Sequence, residues 1–298
     1  MSALDVYLER QRARIEAALA EYFPAEPAQH HRLVEAVRYS LLGGGKRIRP
    51  ILLLAACEAV GGADDRALPY GCALEMIHVY SLIHDDLPAM DDDALRRGRP
   101  TNHVVFGEGL AILAGDALLT EAFHLLMVSA ERDPDPCRAM QAVRETAAAA
   151  GAGGMVGGQA ADLAAESQSL DLPAVEFIHV RKTGALILAA VRGGALIGGA
   201  SPAALAHLTE YGECLGLAFQ IADDILDAEA PTSVTGKVQG RDRALHKATF
   251  PAVIGLPAAK QRARELLDRG LAALSRFDDR AEPLRGIARL VVGRACAP

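Results

Sequence analysis

The chain has 298 residues, a formal net charge of −7, 51% hydrophobic and 23% charged residues, no Trp and 4% aromatics. This length holds one large or two ordinary domains and a sizeable core. The negative charge argues against a general nucleic-acid binder, whose footprint would be a basic face. An Ala- and Leu-rich, aromatic-poor composition favours packed helices over a β-sandwich.

Helical periodicity dominates in chain order, and no convincing strand is visible. Leu4–Tyr22 is amphipathic, with Leu8, Ile15 and Leu19 on one stripe, and ends before Pro24 and Pro27. His31–Leu42 stops at Gly43-Gly44-Gly45, and Pro50–Val60 restarts with Pro near its first turn and Gly61-Gly62 beyond its end. Tyr70–Asp86, Gly109–Ala130 and Cys137–Ala150 follow. The glycine-rich run Gly151–Gly158 reads either as a loop or as a helix whose small residues admit close neighbours. Leu172–Ile197, Pro202–Asp227, Pro251–Phe277 and Pro283–Arg294 complete the set. Residues 228–245 read as a long connection, since Pro231, Thr232, Ser233, Gly236 and Gly240 break any periodicity. No composition shift divides the chain, so a single all-α domain, 1–298, of ten or more helices is expected.

Five cysteines (Cys57, Cys72, Cys137, Cys214, Cys296) lie scattered and never as C-x-x-C, which excludes a disulfide frame or zinc site and fits a reducing compartment. Met1–Leu19 carries too many charges for a signal peptide. The most apolar later run, Gly184–Ala200, is interrupted by Arg192 and glycines, so no membrane span is expected. A cytoplasmic location follows.

Chemistry concentrates at His84–Asp93, where Asp85, Asp86, Asp91, Asp92 and Asp93 follow an apolar helix and precede Arg96, Arg97 and Arg99. Crowded carboxylates repel, and burial disfavours their ionisation. A hard cation such as Mg²⁺, shared with substrate phosphates, resolves the conflict; a solvated acidic turn is the alternative for this stretch alone. A second cluster, Asp223, Asp224 and Asp227, also ends an apolar helix. Asp223 and Asp227 project roughly 40° apart on that helix. Carboxylates are the wrong sign for a helix C-terminus, which makes a bound cation the natural compensation at both places. His78 lies two turns before Asp85 on nearly the same face, with Ser81 between them. Basic groups suited to an anion are spread along the chain: Lys46, Arg47 and Arg49; Arg96, Arg97 and Arg99; Arg181 and Lys182; Lys237; Lys247. Gly43-Gly44-Gly45-Lys46 is not a Walker A loop, and Gly151–Gly158 fails the dinucleotide pattern.

Together these stretches resemble the trans-isoprenyl (polyprenyl) diphosphate synthases, most closely bacterial farnesyl diphosphate synthases. The landmarks are Gly43–Pro50, Ser81–Asp93, Leu95–Asn102, Met155–Gln159, Lys182–Ala185, Phe219–Asp227, Gly236-Lys237 and Lys247–Pro251, in that order. The resemblance implies an isoprenoid-synthase bundle around a central cavity, three Mg²⁺ ions and a homodimer. It places Asp85, Asp91 and Asp223 as metal ligands, supported by Asp86, Asp224 and Asp227. Arg96, Lys182, Thr183, Gln220 and Lys237 would hold an allylic diphosphate. Gly45, Lys46, Arg49, His78 and Arg97 would hold isopentenyl diphosphate, and Lys247 belongs to the same substrate-binding set. Tyr80 and Ser81 would set chain length, with Pro88-Ala89 as the two extra residues that accompany a C15 floor. On helix geometry alone Tyr80 points about 140° away from Asp85.

The implied reaction condenses isopentenyl diphosphate with dimethylallyl or geranyl diphosphate to farnesyl diphosphate. The alternatives are a geranylgeranyl diphosphate synthase, a terpene cyclase, against which Lys46, Arg49 and His78 argue, and a non-catalytic partner subunit, against which two intact Asp clusters argue. Departures from the pattern are Phe250 in place of Tyr, Ala230-Pro231 in place of Gly-Asp, Gly193-Gly194 within a usually apolar helix, and a loose match around Arg294.

Overall fold

The computed structural model describes residues 2–24, 31–165, 170–229 and 249–296. The expected all-α architecture is found. The helices are α1 (Ala3–Tyr22), α2 (His31–Leu41), α3 (Ile48–Ala59), α4 (Asp64–Asp85), α5 (Asn102–Phe106), α6 (Glu108–Glu131), α7 (Pro136–Ala150), α8 (Met155–Ala164) and α9 (Leu172–His179). A π-helical turn, Val180–Gly184, joins α9 to α10 (Ala185–Ile197). Then come α11 (Pro202–Glu229), α12 (Phe250–Ile254), α13 (Leu256–Ala273) and α14 (Glu282–Ala295).

Departures from the sequence reading include the π-helical break in the expected helix Leu172–Ile197 and the following, which have local reasons. Helix α4 begins six residues earlier than Tyr70, at Asp64, where Asp64 and Asp65 complement the N-terminal dipole and outweigh the hydrogen bond that Pro69 cannot donate. The segment 251–277 splits at Gly255, whose φ of +82° ends α12 and starts α13. One short antiparallel hairpin exists where no strand was expected: β1 (Leu95–Arg96) pairs with β2 (Arg99–Pro100). Arg97 and Gly98 turn it with φ of +54° and +73°, the positive pair that a two-residue hairpin turn demands.

The main core gathers α3, α4, α6, α7 and α10, with Ile51, Leu52, Leu54, Leu74 and Ile77 fully buried. A second cluster joins α11 to α12, α13 and α14 around Ile221, Ile225 and Phe250. Each such side chain contributes roughly 1.5–3 kcal/mol by leaving water. Gly194 explains its own departure from pattern: a Cβ there would stand 1.9 Å from the Leu53 carbonyl, so α10 lies on α3 at a distance that only glycine allows. Among the described residues, α6 is the one helix both long and apolar enough, by length and composition, to cross a membrane, the Gly184–Ala200 run forming the shorter α10. The best window of α6 has mean hydropathy 1.6, and the helix packs here against α4 and α2.

Candidate active site

The end of α4 folds back on itself. Asp91 N donates to Asp85 O at 2.8 Å, Asp92 N to Leu87 O at 3.1 Å and Asp93 N to Asp86 O at 3.0 Å. Pro88 and Ala89 lie exposed in the loop closed by these bonds. The return brings Asp91 back beside Asp85, which linear spacing along a helix would not do. Asp86 is buried and its carboxyl is pushed up to about 6, by burial first and then by Asp85 and Asp91, against the pull of Arg96. Arg96 Nε and Nη2 each approach Asp86 Oδ1 at 2.7 Å, and Nη2 lies 3.5 Å from Asp93. Arg96 is therefore a fixed positive charge within the acidic loop.

The hairpin behind it is tied down by Thr101 Oγ1, which donates to Asp93 O at 2.6 Å. Tyr39 Oη donates to Pro100 O at 2.8 Å, and buried Asn102 bonds Ala36 O and Ser40. Arg99 covers the Tyr39 ring.

Gly45, Arg49, His78 and Arg97 come together on the inner side of this hairpin. The Arg97 guanidinium donates to Gly44 O and lies so close to Gly45 that a Cβ there would stand 2.7 Å from it. Gly45 has φ of +134°, so both its space and its backbone require glycine. Half-buried Arg49 keeps its Nε sealed and without a hydrogen-bond partner among the described residues. Burial lowers the Arg49 pKa, opposed by the charges of Glu75 and Asp223. The charge of Asp223, from the second acidic cluster, thus also acts on Arg49. His78 is held well below its ordinary pKa by desolvation and then by Arg49, Arg97, Arg96 and Arg47. Lys46 is exposed beside them.

Behind this group lies Arg47, fully buried. Its Nη1 donates to Glu75 Oε1 at 2.8 Å and its Nη2 to Leu41 O at 2.6 Å. Removing one member of a buried pair of this kind costs about 3–5 kcal/mol.

A third group assembles at the π-helical turn. Thr183 Oγ1 donates to Gln220 Oε1 at 2.8 Å, and Gln220 Nε2 donates to Asp224 Oδ1 at 3.0 Å. Asp224 Oδ2 accepts from Phe250 N at 3.0 Å and stands 3.7 Å from His179 Nε2. The His179 ring stacks on Phe250, centroids 5.4 Å apart. Phe250, which departs from the expected Tyr, thus contributes its ring and its backbone N–H. Lys182 Nζ donates to Asp162 Oδ2 at 2.6 Å. A Cβ on Gly158 would stand 2.2 Å from Lys182 N, so the glycine-rich run is in its second half a helix, packed hard against the turn. Helical π-turns occur frequently at functional sites.

Tyr80 is buried, edge-on to His84 with centroids 5.7 Å apart, and its hydroxyl pKa is raised by burial and then by the charge of Asp85. It thus sits near enough to the acidic end of α4 to feel it, despite the wide projection angle. Ser81 Oγ donates to its own helix at His78 O, 2.8 Å. Lys237, Lys247 and most of the 228–245 connection lie outside the described residues, and Arg294 is exposed in the last turn of α14. Sequence reasoning missed Asp162, His179 and Glu75. Glu75 carried a signal: it is the lone acid in the apolar stretch Tyr70–Val79. Gln159 carries another: both its polar side-chain atoms are buried with no partner among the described residues.

No three His, Cys, Asp or Glu side chains form a ready-made metal cage among the described residues. The donor set nevertheless suits Mg²⁺, which takes one or two carboxylates and completes its shell with water and substrate phosphate. Asp85, Asp91 and Asp223 supply only oxygen, the donor type that Mg²⁺ takes.

The polyprenyl synthetase family profile matches residues 30–282. The chain is 46% identical to a farnesyl diphosphate synthase of Geobacillus stearothermophilus, covering 98% of each. It is also 46% identical to the large subunit 1 of a chloroplastic heterodimeric geranylgeranyl pyrophosphate synthase of Arabidopsis thaliana, over 90% of this chain and 73% of that one. Among solved structures, an FPP/GFPP synthase of Zymomonas mobilis in its apo form superposes with a TM-score of 0.87 at 42% identity, covering 97% of this chain and 98% of the other.

Proposed function

The chain belongs to the polyprenyl synthetase family and is a transferase of the trans-prenyl diphosphate synthase type, and we propose that its product is farnesyl diphosphate, made by adding isopentenyl diphosphate to dimethylallyl or geranyl diphosphate. The observation that carries the product length is the buried Tyr80 ring, wedged against His84 below the first acidic loop. A bulky wall there limits the depth into which a growing apolar chain can extend. Geranylgeranyl diphosphate is the second reading, favoured by relatives with that name at equal identity.

In this reading Asp85, Asp91 and Asp223 hold Mg²⁺, three ions in all, and Asp86, Asp224 and Asp227 support them. Bound Mg²⁺ would supply charge stabilisation to the departing diphosphate. Lys182, Thr183 and Gln220 orient the allylic diphosphate, with Lys237 as a further donor and Arg96 as a fixed charge, so that the C–O bond ionises toward preorganised cations. Lys46, Arg49, His78 and Arg97 hold the isopentenyl diphosphate, with the Gly45 backbone; Lys247 completes the cationic set. The isopentenyl double bond attacks the allylic cation, and a proton leaves to the released pyrophosphate. No side-chain base is required, and water must be excluded because it would quench the cation.

The proposed assembly is a homodimer in the cytoplasm. Its support is the exposed apolar face of α6, where Ile112, Leu113 and Met127 stand outward beside Val104 and Val105 of α5. Exposed Asp116, Thr120 and His124 interrupt that face between Leu113 and Met127, but large apolar side chains left exposed on two neighbouring helices still point to an interaction surface. The product assignment is tested by incubating purified protein with Mg²⁺, geranyl diphosphate and labelled isopentenyl diphosphate and resolving products by length. A dominant C15 product is expected; mainly C20 would replace the farnesyl reading with the geranylgeranyl one.

A further inference from the structure

Arg47 differs from every other cation of the basic loop, since its side chain is wholly sealed from solvent. Its backbone has φ of +51°, a left-handed conformation that a non-glycine residue keeps only when its surroundings impose it. What imposes it is visible. One arm of the guanidinium is bonded to Glu75 in the middle of α4, the other to the carbonyl of Leu41 at the end of α2, and Nε lies 3.7 Å from Glu16 of α1. The guanidinium therefore clamps the junction between three helices at the residue where the glycine loop enters α3. Its neighbours on either side are Lys46, left exposed, and Arg49, in the first turn of α3.

Glu75 has a second property. It lies one turn before His78 on α4, and its charge acts on both Arg49 and Arg97. Arg47, Arg49, Arg97 and His78 crowd one region in which Glu75 is itself almost fully buried. A cluster of cations built to receive an anion must exist without it between turnovers. A buried carboxylate at its rear lowers the mutual repulsion without occupying the open side.

We propose that Arg47 and Glu75 are a positioning pair for the isopentenyl diphosphate site, fixing the directions of Lys46 and Arg49 and countering their charge without touching the substrate. This rests on the assignment of that diphosphate to Lys46, Arg49 and His78. The pair acts on one of the two substrates, since Lys182, Thr183 and Gln220 are anchored elsewhere, through Asp162 and Asp224.

The test is steady-state kinetics of Arg47→Lys and Glu75→Gln, varying isopentenyl diphosphate and geranyl diphosphate separately, with Arg49→Gln as reference and thermal melts on the same samples. Arg47→Lys keeps the charge and loses the fork, so KM for isopentenyl diphosphate should rise about tenfold while that for geranyl diphosphate stays within about twofold. Glu75→Gln keeps an acceptor for Arg47, so the same constant should rise by a smaller factor, about threefold. If Arg47→Lys does not fold, the split in Glu75→Gln decides. A lower melting temperature and kcat with both KM values unchanged, or an equal rise in both, overturns the proposal. Should Arg49→Gln leave KM for isopentenyl diphosphate unchanged, the diphosphate assignment falls and takes the pair's role with it. Should Arg49→Gln raise it while both pair variants are silent, the pair's role alone falls.

Discussion

Lys182 Nζ lies 2.6 Å from Asp162 Oδ2, so the ammonium proposed to meet the allylic diphosphate is already paired in the free protein. The two side chains are 26% and 18% exposed, so the cost of desolvating them offsets much of their attraction and the pair adds little net stability. Its effect falls on orientation instead. Asp162→Ala should leave the melting temperature within a few degrees of the parent and lower kcat about tenfold, because the ammonium loses its fixed direction. Turnover and melts on one preparation check this; unchanged turnover would remove Asp162 from the account.

His179 gives a pH dependence of stability. Burial, reinforced by Lys182 and opposed by Asp162, lowers its pKa from 6.5 to about 4. The unfolded chain therefore takes up the proton first as pH falls. The contribution to stability is complete above about pH 6.5 and is lost progressively toward pH 4, by about 3 kcal/mol in total. Urea midpoints between pH 7 and 4.5 should fall more steeply for the parent than for His179→Phe, and parallel curves would contradict the shift.

Tyr80→Ala removes the buried wall beside His84. Product analysis should show a shift from C15 toward C20 and longer chains, at a stability cost of about 3–5 kcal/mol for a truncated core aromatic. A C15 profile unchanged in the variant would take Tyr80 out of length control.

Leu113 stands 54% exposed on the outer face of α6. Leu113→Asp places a charge in the middle of the proposed dimer surface, and sedimentation should show the parent as a dimer and the variant as a monomer at micromolar concentration. A monomeric parent would refute the assembly outright.

Much of this was legible before any coordinates. The helices follow from 3.6-residue periodicity and Gly or Pro stops, and the two acidic clusters stand out because carboxylates at the ends of apolar helices demand an explanation. Contacts distant in sequence were not legible. Asp162 and Lys182 meet only because α8 lies on the π-helical turn, and that turn has no sequence signature. Arg47 looked like its neighbours Lys46 and Arg49, since burial depends on where α1, α2 and α4 converge around it. The glycines at 158 and 194 read as interruptions in one dimension and as helix contacts in three. Tyr80 shows the limit of projection angles: a side chain about 140° away still feels Asp85 when it lies near the end of the same helix.

The account turns on the return loop that brings Asp91 to Asp85, with the charge of Asp223 acting on Arg49. The most direct measurement is the rate at which labelled isopentenyl diphosphate is incorporated by the parent and by Asp85→Ala, both at saturating Mg²⁺ and geranyl diphosphate. The parent should form product and the variant should lose at least about a thousandfold in rate, of the order seen when a principal electrostatic stabiliser is removed. Near-parental incorporation by Asp85→Ala, or none by the parent, would contradict it.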